Sequence, residues 1–171
     1  GTVTNAGAAI ATATTSGGTY TQSGGSATDL VNDSGTVNLD AGTATSLTNN
    51  ATAGTSTVTD GQVTGTTTID GGTVVVNQTT EDAALELVGD TTLNDGTLTI
   101  TDGEVGAVIN NGGTFNLNAS GVVQGTFTNN NAFTFSAGTL NDVINTSTFT
   151  GSGTNTVNGT FLNDGGTLEL D

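Results

Sequence analysis

At 171 residues the chain has the length of one domain, yet Lys, Arg, His, Pro, Cys, Met and Trp are all missing, and apolar residues make up only 32%, well below the share in an ordinary globular domain. Sixteen acidic side chains with no cationic side chain give a net charge of −16. Ion pairs between side chains are therefore excluded, as are nucleic acid and anionic lipid as direct partners, because both need Lys or Arg to neutralise phosphate; without Cys or His there is no disulfide, no zinc–thiolate site and no activated nucleophile.

So polar a chain folds only if its sparse apolar residues recur in register. From the N-terminus, Gly-Thr or an equivalent pair recurs near Gly1, Gly18, Gly35, Gly54 and Gly72, then near Gly113, Asn131, Ser147 and Gly166, mostly about 16–19 residues apart. LVNDSGTVNL from Leu30 shows the template: an apolar residue, Asn, a turn, Gly-Thr, then alternating apolar positions. Between Gly72 and Gly113 the spacing breaks, and TTEDAALELVGD from Thr79 reads as an irregular insertion over residues 79–92, with weak helical spacing in EDAALEL, ahead of LNDGTLTI from Leu93. The template returns in VINNGGTFNL from Val108 and FLNDGGTLEL from Phe161, with degenerate copies at Phe127 and Val143.

Inside each copy, apolar residues alternate with Thr, Asn or Asp, as in Thr97-Leu98-Thr99-Ile100. That period of two is a strand with one buried face, and the Gly, Asn and Asp clusters between strands are turn chemistry. The predicted fold is all-β: a parallel β-solenoid forming a single repeat domain over 1–171, with about 18 residues per coil and nine or ten coils. Three columns should then stack coil on coil: Phe115, Phe133 and Phe149; Phe127, Val143 and Phe161; and an asparagine ladder of Asn110, Asn129, Asn145 and Asn163.

The run VINNGGTFNLNASGVVQGTFTNNNAFTF and the later FLNDGGTLELD resemble the β-helical passenger regions of bacterial autotransporters and filamentous-haemagglutinin-like adhesins. The resemblance implies a secreted, cell-surface solenoid serving as adhesin, stalk or filament, and it carries over no binding residue.

Chemistry is confined to carboxylates and hydroxyls. A glycosidase site could use two carboxylates, for example among Asp90, Asp95, Asp102 and Glu104, but these read instead as solvated acids on turns. Calcium is the one metal whose hard oxygen ligands are present, with Asp60, Asp102 and Glu104 the candidate ligands, although no calcium-loop spacing occurs and no cofactor is required. Thr-rich TxT strands, such as Thr97 and Thr99, suggest an ice- or glycan-binding face, interrupted by Asn in other coils. The expected function is structural and non-enzymatic, on the cell exterior. Carbohydrate-active chemistry ranks lower. No apolar run is long enough for a membrane span, and neither terminal segment resembles a solenoid cap, so both ends are expected to continue into a larger chain or a head-to-tail neighbour. A host surface or glycan is the external partner this reading allows.

Overall fold

The structure, a computed structural model, describes residues 1–50, 54–80 and 84–170. Its strands in chain order are β1 (Thr2–Asn49), β2 (Thr55–Val58), β3 (Gln62–Val63), β4 (Thr67–Ile69), β5 (Thr73–Asn77), β6 (Thr91–Leu93), β7 (Thr97–Val105) and β8 (Val108–Asn110). They continue with β9 (Thr114–Asn129), β10 (Phe133–Phe135), β11 (Thr139–Asn145), β12 (Thr148–Gly151), β13 (Thr156–Val157), β14 (Phe161–Asn163) and β15 (Thr167–Leu170). No helix occurs among the described residues.

Every strand pairing is parallel, and the pairings form three columns. On the first face Thr36–Leu39 of β1 pairs with β2, which is followed by β5, β7 and β9; β10, β12 and β15 form a separate sheet. On the second face Thr43 and Ala44 pair with β3, Leu87 bridges Val63 to Val105, and Val123, Leu140 and Val157 follow. On the third face Leu47–Asn49 pairs with β4, then β6, β8, the end of β9, the end of β11 and β14. The chain is thus a parallel β-solenoid of about seven turns with about 18 residues per turn.

That is fewer than the nine or ten coils expected. One turn is longer than the rest: Thr73 is stacked on Thr97, 24 residues on, where neighbouring turns take 17 to 19. The long turn contains the segment 79–92. Within it Leu87 is fully buried and bridges both neighbouring turns, and Thr91–Leu93 is strand β6. Residues 81–83 of EDAALEL lie outside the described residues.

The interior follows from the alternation. Both expected apolar columns are formed: Phe133 pairs with Phe149 and its ring stacks on Phe115 at 5.3 Å, while Val143 pairs with both Phe127 and Phe161. Phe133 touches four rings, those of Phe115, Phe127, Phe135 and Phe149. Stacking turns this closely requires glycine at the corner before the first face. Gly113 has φ of 72°, and a Cβ there would lie 2.5 Å from the Gly96 carbonyl oxygen of the turn below.

The asparagine column is also formed, and it has a direction. Asn110 donates to Asn129 at 3.4 Å, Asn129 to Asn145 at 2.8 Å, and Asn145 to Asn163 at 2.7 Å. One residue further along each turn lies a second, exposed ladder running the opposite way: Thr146 donates to Asn130, Asn130 to Asn111, Asn111 to Asn94, and Asn94 to Asp70, at 2.8–3.0 Å. The inner ladder stops at β6. There the third-face pattern of apolar-x-Asn, as in Leu47-Thr48-Asn49 and Val108-Ile109-Asn110, is inverted to Thr67-Thr68-Ile69 and Thr91-Thr92-Leu93. The Thr67 and Thr91 hydroxyls and Asn110 Oδ1 are buried with no hydrogen-bond partner.

Candidate functional site

Two surfaces concentrate the polar chemistry. The first is the corner at the foot of the long turn, where all three calcium candidates fall. Asp60 accepts four hydrogen bonds from the next turn: Thr79 and Thr80 donate their N–H groups to Oδ1 at 2.8 and 2.9 Å, and their hydroxyls to Oδ2 at 2.6 and 3.2 Å. The Thr79 hydroxyl, then the two N–H groups, hold this carboxyl at about 2 instead of the usual 3.8. Asp102 Oδ1 accepts the Gly103 N–H at 2.9 Å, and Glu104 Oε2 accepts from Gln124 at 2.8 Å.

Sequence reasoning missed the fourth acid at this corner. Glu86 is only 3% exposed, and its Oε2 accepts the Glu104 N–H at 2.7 Å. Gly103, at φ of 109°, makes room for it, since a Cβ there would sit 2.6 Å from that oxygen. No signal in EDAALEL marks this glutamate as buried. Each carboxylate is thus engaged by a different donor of the chain, and among the described residues no three acids, Cys or His form a group that would hold a metal ion. Asp90 and Asp95 lie elsewhere, on either side of β6: the Asp90 carbonyl accepts the Thr67 N–H, and Asp95 Oδ1 accepts the Gly96 N–H.

The second surface is the outside of the first face. In strands of four residues with two side chains inward, the other two point out. Strand register places Thr36, Thr55, Thr73, Thr97 and Thr114 in one outward row, and Asn38, Thr57, Val75, Thr99 and Asn116 in the row beside it. Ala132 and Thr134, then Thr148 and Thr150, extend the pattern on β10 and β12. Thr thus fills ten of these fourteen positions and none is acidic, while on β15 the rows continue with Thr167 and the acid Glu169. The acids stop at the borders: Asp40, Asp60 and Asp102 follow the strands, while Asp33, Asp70 and Asp95 precede them. Where the first-face sheet divides, a hollow of about 280 Å³ opens between Thr114 and Thr134, with Phe115 and Phe133 among its lining.

No protein-family model, curated protein or solved structure matches the chain.

Proposed function

We propose that this chain is a structural, non-catalytic module of a protein on the cell exterior: a stalk, filament segment or adhesin passenger. The observation that carries the reading is the distribution of polar groups at the acidic corner. The carboxylates of Asp60, Glu86, Asp102 and Glu104 are each taken up by donors of the same chain, as expected where acids fix turns and confer solubility rather than perform chemistry. The resemblance of the Asn-Gly-Thr repeats to autotransporter passengers points the same way, and in this reading no cofactor is needed.

The winding extends further in this proposal, to nine coils. Contacts one turn apart run through β1: Thr19 N–H donates to the Gly1 carbonyl, Asn38 to the Thr21 hydroxyl, and both Thr12 and Ser46 to Asp29. The outermost turns carry apolar atoms on their open sides, with Val3, Ile10 and Ala13 around a hollow of about 450 Å³ at one end and exposed Leu168 and Leu170 at the other. Further polypeptide or a second copy stacked head to tail would cover them.

Electron microscopy of the native material tests the reading. Thin rods at the cell surface, rising about 4.8 Å per turn, are the expected result. A soluble cytoplasmic particle, or cleavage of a polysaccharide by the purified chain that is lost in Asp102→Asn or Glu104→Gln, would overturn it.

A further inference from the structure

We infer that the outward threonine rows of the first face form a binding surface for crystalline ice. This goes beyond the structural role proposed above and stands independently of it. Three observations carry it, beginning with order. The rows are in register without a shift from Thr36 through Ile100, because the pairing irregularities fall just outside them, at Asn77 and Asp102. Hydroxyl and methyl groups therefore repeat in two dimensions, about 4.8 Å along the axis and about 6.6 Å along each strand. A repeating partner is recognised by such a lattice, whereas a folded protein surface offers no matching period.

The second observation is charge. The chain carries −16 overall, yet no acid occupies the fourteen outward positions between Thr36 and Thr150, while six acids line their borders; the first acid within the rows is Glu169 on β15, the register partner of Thr150. A strongly hydrated anion would disrupt ordered water at a surface, and the segregation keeps the face neutral where the partner would dock.

The third is chemistry. Each threonine offers one methyl group and one hydroxyl that both donates and accepts, which suits a lattice of water molecules, each also donating and accepting. Val75 keeps the methyl groups where it interrupts the rows. At Asn116 the amide turns sideways and donates to the Thr99 hydroxyl at 3.3 Å, staying within the row. Exposed aromatic rings, on which a sugar would stack, are missing from these rows: Phe115 and Phe133 point inward and are buried.

The test uses the whole chain, fluorescently labelled at its N-terminus, with a single ice crystal grown slowly into the solution. The expected result is uptake into the ice several-fold above that of free dye, with labelling confined to particular crystal planes. The double variant Thr57→Lys and Thr99→Lys should fall to the free-dye level. The matched variant Thr68→Lys and Thr92→Lys, on the outward row of the third face, should be taken up like the original chain. Thermal melts and far-ultraviolet circular dichroism establish that each variant is folded, and the milder single change Thr57→Lys, expected to reduce uptake in part, serves if the double variant is not. Exclusion of the original chain from the ice would overturn the inference, as would equal loss in both variant pairs. So would sedimentation of the original chain as a dimer that the first-face variant dissociates, which would make the face a contact between copies. Retention on crystalline cellulose or chitin without uptake into ice would overturn it in favour of a glycan.

Discussion

Buried polar side chains in this solenoid differ in sign according to whether the next turn answers them. Asn129 accepts from Asn110 and donates to Asn145 and to the Thr148 carbonyl. Truncating it leaves a buried donor on one side and a buried acceptor on the other, so Asn129→Ala should cost about 2–4 kcal/mol in chemical denaturation. Thr67, one column position away on an earlier turn, is buried with an unanswered hydroxyl. Replacing it with Val removes a desolvated polar group at nearly constant shape, and Thr67→Val should raise stability by about 1 kcal/mol. At Asp60 the effect depends on pH. Its carboxyl is depressed from 3.8 to about 2, so its contribution is complete above the unfolded value and is lost as pH falls from about 4 to about 2. The melting temperature of the original chain should therefore converge on that of Asp60→Asn over this window, and a constant gap between the two curves would contradict the assignment.

At the scale of strands, the phenylalanine cluster and the amide ladders divide the molecule. Turns from Val108 onward combine an uninterrupted inner ladder with stacked rings, whereas β4 and β6 carry the inverted Thr-x-apolar pattern. Because Phe133 touches four rings, Phe133→Ala should cost about 3–5 kcal/mol, measured by denaturant unfolding. The columns of Phe115, Phe127 and Asn110 were legible in the sequence because a constant spacing brought like residues together. The inversion was not, since Thr67 and Thr91 read equally well as outward strand residues: only pairing to Leu47 and Val108 reveals that they face in. The TxT strands were legible singly, as at Thr97 and Thr99, but the long turn hid their alignment for a related reason. Thr73 and Thr97 are 24 residues apart, outside the spacing that joins the other copies, and the ladder of contacts had to be seen before they aligned. Glu86 was unreadable because its burial depends on a glycine, Gly103, one turn away.

For the molecule as a whole, burial is graded along the axis. The rings Phe127, Phe135 and Phe149 are among the largest buried side chains, whereas before Tyr20 only Asn5 and Thr15 are buried and, among the described residues, none is buried after Gly151. Hydrogen exchange should follow this pattern, with the slowest amides between Val108 and Ile144 and the fastest before Tyr20 and after Gly151. Protection uniform along the chain would show that the turns open as one unit.

The regular distance between partners also bears on how the chain reaches this state. Each strand finds its neighbour about one turn along the sequence, so every closure encloses a loop of nearly the same length, and the 24-residue turn costs only about 0.3 kcal/mol more than one of 18 residues. No step requires a distant segment to arrive first. Assembly therefore resembles winding: a nucleus of two or three turns, set where the rings cluster, followed by additions of one turn at a time toward each end. Each added turn meets a finished template of amides and carbonyls, and the rate of growth is governed by local closure instead of by the total length of the rod.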